Sequence, residues 1–384
     1  MRVLLRLLAA TVVAIGSLVT VSGSAQASTP EWNSIATGGQ HACGIRTGGS
    51  LYCWGANSFG QVGDGSTSPR TSPRRIGTSH WLSVAAGRVS TCGIRSDRLL
   101  YCWGYNGFGG VGDGTTVDRT TPRRVGSAHW LQVTVGQSGT CGITTSHKLY
   151  CWGNNDEGEL ATGDDRLFTP VPRRVGTSSS WTHVTAGFFH LCATTDSHRL
   201  YCWGYDAFGQ VGIGADIASV APPTVRTVTR VGTKSDWTMA AAGGEGSCGL
   251  RTGGRAFCWG SNADGRIGDG TTDDRSAPVQ AGEDFAEWST IATGDNHTCA
   301  VSTHHALDCW GLNFVGQLGV GDTATRVTPA REDRGFGDWK TVAVGDSFSC
   351  GLRSNKQLYC WGLNDLGQLG VGSTTNHLAP TRIG

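Results

Sequence analysis

The tripeptide Cys-Trp-Gly occurs seven times in this chain, at Cys53-Trp54-Gly55, Cys102-Trp103-Gly104, Cys151-Trp152-Gly153, Cys202-Trp203-Gly204, Cys258-Trp259-Gly260, Cys309-Trp310-Gly311 and Cys360-Trp361-Gly362. Its tryptophans are spaced 49, 49, 51, 56, 51 and 51 residues apart. A second series, Trp32, Trp81, Trp130, Trp181, Trp237, Trp288 and Trp339, keeps the same intervals, and each member precedes by 11 residues a further cysteine: Cys43, Cys92, Cys141, Cys192, Cys248, Cys299 and Cys350. All 14 tryptophans and all 14 cysteines are thereby used. Repetition near 50 residues marks a propeller or a solenoid, in which one unit cannot bury its own face and must stack on the next. The repeats run 32–80, 81–129, 130–180, 181–236, 237–287, 288–338 and 339–384.

Abundant glycine (59 residues) and the want of a helix-period apolar run beyond the N-terminus argue for short strands joined by tight turns. In the first repeat, Trp32-Asn33-Ser34-Ile35-Ala36-Thr37 reads as a strand ending at Gly38. Ala42-Cys43-Gly44-Ile45 and Leu51-Tyr52-Cys53-Trp54 form a hairpin about Thr47-Gly48-Gly49. Pro73-Arg74-Arg75-Ile76-Gly77 suits an outer edge strand, where a missing N–H need not pair. The repeat phase leaves two arrangements open: each repeat is one whole blade, or the outer strand crosses to the neighbouring blade.

The hairpin predicts its own register. With Cys43 opposite Cys53, Ile45 faces Leu51 on the same side and Gly44 faces Tyr52 on the other. The pattern recurs as Ile94 with Leu100, Ile143 with Leu149, Gly93 with Tyr101 and Gly249 with Phe257, and an aromatic ring over a facing glycine covers bare backbone. A slip of one residue would scatter every pair. Opposed cysteines lie near disulfide range, so seven bonds are expected: Cys43–Cys53, Cys92–Cys102, Cys141–Cys151, Cys192–Cys202, Cys248–Cys258, Cys299–Cys309 and Cys350–Cys360. Metal binding fits less well, because a ten-residue separation lacks the short Cys-x-x-Cys chelate and no histidine recurs beside every pair.

Residues 1–27 read as a cleaved secretory leader. Arg2 and Arg6 precede an apolar run from Leu7 to Val21, and Ala25-Gln26-Ala27 offers the small residues of a cleavage site. The mature chain, 28–384, is then expected outside the cell, where disulfides persist. Losing Arg2 and Arg6 leaves 29 basic against 30 acidic residues. That balance gives no reason to expect a nucleic-acid partner. Nor does any segment after Ala27 carry enough apolar residues to span a bilayer.

Behind each Cys-Trp-Gly comes a loop such as Ala56-Asn57-Ser58-Phe59-Gly60-Gln61-Val62-Gly63, with a counterpart at Leu363-Asn364-Asp365-Leu366-Gly367-Gln368-Leu369-Gly370. Here the chain resembles the regulator of chromosome condensation repeat family, over residues 32 to 384 and seven times over. The resemblance implies an all-β, seven-bladed β-propeller of four-stranded antiparallel blades. Gly38, Trp54, Gly55, Asn57, Gly60, Gln61 and Gly63 match the repeat motif, and their expected roles are structural. The family's founding member is a nuclear exchange factor for a small GTPase; others are photoreceptors, ubiquitin ligase parts or secreted enzyme inhibitors. A leader, a cysteine pair in every blade and the lack of a long insertion speak against exchange activity here.

Chemistry finds little to hold on to. Asp64-Gly65, Asp113-Gly114 and Asp269-Gly270 imitate calcium loops, yet a single recurring Asp is better suited to a turn. The glycine runs lack a Gly-Lys-Ser/Thr ending, and no nucleophile elbow or His-Glu zinc motif is present. His41, His190 and His297 share one repeat position and read as structural. No cofactor, metal or catalytic residue is assigned.

Specificity is expected where blades differ. The triplets after each strand-ending glycine vary freely, from Gly39-Gln40-His41 to Asp346-Ser347-Phe348, and should crown one face of the ring. The partner-binding candidates are Phe188, Phe189, His190, Arg88, Asp295 and Phe348. Blade four carries the largest insertion, Ile213 to Gly232, with Val220-Ala221-Pro222-Pro223 expected in an exposed loop. Pro73-Arg74-Arg75, Pro122-Arg123-Arg124 and Pro172-Arg173-Arg174 read as edge strands protected by charge. The chain is thus expected to be an exported, monomeric, non-catalytic propeller that recognises a protein or cell-surface polymer through its rim loops. Two alternatives stand beside it: an inhibitor of a secreted enzyme, and a hydrolase or lyase whose carboxylates meet in the channel, which perturbed acids there would favour.

Overall fold

The computed structural model describes residues 31–164, 166–214, 223–282 and 287–384; the leader lies outside them, as does most of Val220-Ala221-Pro222-Pro223. Among the described residues every regular element is a β-strand. Strands β1 (Trp32–Thr37), β2 (His41–Arg46), β3 (Ser50–Gly55) and β4 (Arg70–Ala86) pair in chain order, all antiparallel. The pattern recurs along the chain, so the described strands group into seven four-stranded units, each drawn from its own repeat. Of the two arrangements left open, the repeat is the blade.

The outer strand runs further than expected in blades one and two. Arg70–Ala86 and Arg119–Val135 are continuous 17-residue strands, each the outer edge of one blade and the inner strand of the next. His80 pairs with Ser50 and His129 with Leu99, which keeps these two connections extended.

The hairpin register is the one the cysteine spacing predicts: Cys43 faces Cys53, Gly44 faces Tyr52 and Ile45 faces Leu51. All seven disulfides form within their own hairpins, and no cysteine is free. The facing glycine serves a different ring from the expected one. A Cβ on Gly44, Gly93, Gly142, Gly249 or Gly351 would strike the tryptophan that opens the same blade, not the cross-strand aromatic. Gly44 makes room for the Trp32 indole, and Tyr52 meets that indole edge-on, with ring centroids 5.9 Å apart. The reason is reach: an indole from the adjacent inner strand covers the glycine, while the phenol stands beside it.

Three sets of contacts join the blades: two are rings of hydrogen bonds that close on themselves, and the third closes through glycine packing. The indole N–H of every Cys-Trp-Gly donates to a carbonyl in the preceding blade: Trp103 to Gln61, Trp259 to Gln210 and, across the seam, Trp54 to Gln368, all at 2.9 Å. The opening tryptophans donate their backbone amides to the preceding hairpin turn, Trp81 to Gly49 O at 2.8 Å and Trp32 to Lys356 O at 2.9 Å. Lys356 also pairs with Glu31 at 3.0 Å. The third ring is made by the strand-ending glycines. Arg88 N donates to Gly136 O and Phe188 N to Gly243 O, both at 3.2 Å. A Cβ on Gly38, Gly87, Gly136, Gly187, Gly243, Gly294 or Gly345 would collide with the next blade's glycine carbonyl, the last with that of Gly38.

The loop motif serves the same joints. Asn57 Oδ1 accepts from Val62 N at 2.9 Å while its Nδ2 donates to the carbonyls of Ser66 and Ser68 at 3.0 Å. That closes the turn which presents Gln61 O to the next blade's indole. Blade three departs from the motif: Glu159 stands where other blades have Gln61, Gln210, Gln317 and Gln368. Glu159 is 4% exposed. Its Oε2 accepts from Glu157 N at 3.0 Å and its Oε1 from Asn154 Nδ2 at 3.2 Å. Burial pushes its pKa up to about 7.

Two consequences can be measured. Gly294→Ala forces a Cβ into the Gly345 carbonyl, whereas Gly77→Ala meets nothing and suffers only its φ of +58°. Urea unfolding should show a loss of about 2 to 3 kcal/mol or more for the first and about 1 kcal/mol for the second; equal losses would discredit the glycine ring. The second concerns pH. Glu159 titrates higher folded than unfolded, so its contribution to stability is present in full below about pH 4.5 and is lost as pH rises through about 7. Glu159→Gln should therefore raise the melting temperature by a few degrees at pH 8, roughly 3 kcal/mol at the upper limit, and bring no gain at pH 4.5.

Candidate functional site

The triplets stand at one end of the ring and share it with the loops behind each Cys-Trp-Gly. The backbone ties the two together: Ala56 N donates to Gln40 O, Tyr105 N to Val89 O, Tyr205 N to Phe189 O and Ser261 N to Glu245 O. Position within the triplet decides what a residue does. First positions surround a mouth at the ring axis, lined by Gly39, Arg88, Phe188, Gly244, Asp295 and Asp346 above the glycine ring. Third positions turn inward between blades.

That inward turn corrects two of the expected partner contacts. His190 and Phe348 are fully buried, like His41 and His297. Ser247 Oγ donates to Gln210 O at 3.0 Å, so the His190 Nε2 at 2.7 Å carries the hydrogen and donates to that hydroxyl. His41 with Thr91 and His297 with Ser349 repeat the arrangement at 2.8 Å. Burial pushes His190 and His297 down to about 3 and His41 to about 4, which holds all three neutral. In blade seven Phe348 fills the same slot, its ring against Gly345 as the histidine rings lie against Gly38 and Gly187. These side chains pack blade on blade, and no partner can reach them.

Arg88, Phe188 and Asp295 do converge, and Asp346 joins them. Arg88 Nη1 donates to Gln137 Oε1 at 2.8 Å, and its guanidinium carbon lies 4.8 Å from the centre of the Phe188 ring. Its approach to Asp346 is looser, 3.9 Å. Burial, then the charge of Asp295, pushes Asp346 up to about 6 against the pull of Arg88. Burial also raises Asp295, although Arg266 and Arg88 pull the other way. The buried Arg266 spends its Nη1 on the Asp295 carbonyl at 2.7 Å rather than on the carboxylate.

From the mouth an aromatic crest runs outward over blade four. Phe188 meets Phe189 edge-on at 6.4 Å, Phe189 meets Tyr205 at 6.3 Å, and Tyr205 meets Phe208 at 6.3 Å. Burial first, then the charges of Glu157 and Glu245, hold the Tyr205 phenol above its ordinary value, which sets both acids beside the crest. Of this group only Phe188 and Phe189 were singled out from sequence. Glu245 and Asp346 enter the sequence reading only as members of the variable triplets, and Tyr205, Phe208 and Glu157 are missed, although aligning the loops sets Phe208 level with Phe59 and Phe108, and Tyr205 level with Tyr105.

Below the mouth the inner strands enclose a channel of about 350 Å³. Gln132, His183, Thr290 and Thr341 are among its polar linings, and no carboxylate is among them. The calcium-like loops are turns stapled by arginine. Asp64 Oδ1 accepts from Ser66 Oγ at 2.7 Å and its Oδ2 from Arg70 Nε at 2.6 Å, and Asp113 with Arg119 and Asp269 with Arg275 repeat the pattern. Of the outer-edge arginines, Arg124 and Arg174 donate to nearby backbone carbonyls, those of Gly126 and Thr177.

Known proteins share this architecture. The human WBSCR16 structure superposes with a TM-score of 0.78 at 19% identity, covering 87% of this chain and 94% of that one. Prp20p of Saccharomyces cerevisiae, described with its binding to Gsp1p and histones, gives 0.75 at 21% identity over 85% of this chain and 84% of its own. In sequence, the Ultraviolet-B receptor UVR8 of Arabidopsis thaliana is 29% identical over 59% of this chain and 51% of its own length. The probable E3 ubiquitin-protein ligase HERC4 of Homo sapiens is 29% identical over 56% of this chain but 20% of its own. The chain thus spans about half of the first relative and a fifth of the second. The regulator of chromosome condensation (RCC1) repeat model matches residues 48–94 and 99–143, and a second model of the same repeat matches 32–61 and 81–109. Since the RCC1-like domain model also matches residues 131–384, the chain belongs to the family of RCC1-like propellers.

Proposed function

We propose that this chain is an exported, non-catalytic propeller that binds another protein through the triplet face. One observation carries the reading: Arg88, Phe188, Asp295 and Asp346, which differ from blade to blade, meet at one mouth on an otherwise repetitive frame. Residues needed for the ring repeat, and these do not. Seven disulfides support work in an oxidising compartment. Inhibition of an exported enzyme is one form such binding can take.

The carboxylates at the mouth are what a channel hydrolase or lyase would use, and that reading has to be weighed. Size speaks against it. The mouth holds about 70 Å³, room for two or three waters, whereas small-molecule sites run from about 300 Å³. The larger channel below has no carboxylate among its linings.

Photo-crosslinking in cells that export the protein tests the proposal. A photoreactive residue at Phe189 should give one discrete protein adduct, and the same group at the outer-edge Arg75 should give none. Adducts from position 75 alone, or a polydisperse polymer adduct at 189, would count against it.

A further inference from the structure

The chemistry of the triplet face is one-sided. Asp156, Glu157, Glu245, Asp264, Asp295 and Asp346 lie in its triplets and loops, and the cations of those same segments are Arg88 and the buried Arg266. Arg226 stands further out, its Nη2 donating to Asp156 O at 3.1 Å. The mature chain as a whole is close to neutral, so the excess of carboxylate belongs to this face.

At the mouth these charges are only partly answered. Arg88 gives its short hydrogen bond to Gln137 and its flat face to Phe188, and it stays 3.9 Å from Asp346. Arg266 reaches the Asp295 carbonyl, leaving that carboxylate the side-chain amide of Asn296 at 3.1 Å. Two carboxylates in adjacent blades therefore share a recess of about 70 Å³ with one loosely held guanidinium. A long cationic side chain fits that recess in size and in sign, and the Phe188 ring beside it offers a face to a cation. Gly39 and Gly244 keep the recess open: a Cβ on Gly39 would press on Arg88 and Asp346, and one on Gly244 on Asp295. Immediately outside, the aromatic crest of blade four gives an apolar footing near Glu157 and Glu245.

We propose that the partner presents a basic segment to this face, one lysine or arginine side chain entering the mouth between Asp295 and Asp346 while neighbouring apolar residues seat on Phe189, Tyr205 and Phe208. The inference rests on the reading of the triplet face as a protein-binding surface and adds the chemistry of what it binds. Buried interfacial charges gain most when each finds its opposite, and aromatic anchors supply the rest of the contact.

The test uses the mature, oxidised protein and a phage-displayed library of random dodecapeptides. Selected peptides should carry Lys or Arg next to an apolar residue, and raising the salt should weaken them. Asp295→Asn with Asp346→Asn should reduce affinity for the best peptide at least tenfold. Arg88→Gln, which removes the competing cation, should tighten it at least twofold, and answers the question alone if the double variant fails to fold. Acidic or neutral consensus peptides, or no enrichment, would overturn the inference. Peptides that are lost on Phe189→Ala with Phe208→Ala, yet bind the double asparagine variant within twofold of wild type, would also overturn it. That last outcome leaves the protein-binding face standing.

Discussion

Everything in this ring depends on how closely its seven inner strands can approach at the narrow end. The limit is set by backbone touching backbone. Where each inner strand ends, a glycine carbonyl lies where the previous blade's Cβ would be, so a methyl group at any of seven positions wedges the ring apart. With the strands this close, amides that open the triplets reach carbonyls where the next inner strand ends, so main chain ties most triplets to their neighbours. Their side chains are then free to vary. That division of labour lets one frame carry Arg88 in one blade, Phe188 in another and Asp295 in a third.

Much of this was legible in the sequence, for a physical reason: in a repeat, each structural demand is written seven times. Opposed cysteines and the Ile45–Leu51 type of pair follow from a period of two along short strands, and the structure keeps both. The fate of Gly44 was not legible, since the ring above it arrives from a strand outside the hairpin. Nor was the inward turn of Phe348, whereas the repeat position that His190 shares with His41 and His297 already reads as structural. Variation across blades suggests exposure, yet a gap between blades also varies, because its two walls change together: histidine against Ser247 or Thr91 in some seams, phenylalanine in another. The mouth was half visible. Arg88, Phe188 and Asp295 stand out as odd residues in a regular series, whereas the pairing of Asp295 with Asp346 needs the ring to be closed.

Polar groups are sorted by depth. Between the blades histidines are held neutral and hydroxyls hand hydrogen bonds on to carbonyls. In the loops, aspartates are matched by arginines at hydrogen-bond distance. Around the mouth and the blade-four crest the acids outnumber their cationic partners. Glu159 stands apart as an acid in a seam where the other repeats mostly use an amide, and burial raises its pKa to about 7.

The disulfides bear on how such a molecule comes into being. Each joins cysteines ten residues apart across a single hairpin, and none ties one blade to another. Fourteen thiols could be mispaired in very many ways, but here the nearest partner along the chain is always the right one. Closing so short a loop is fast compared with thiol oxidation. Each hairpin can be stapled as soon as it forms, before its neighbours exist, leaving only the non-covalent joints between blades to assemble last.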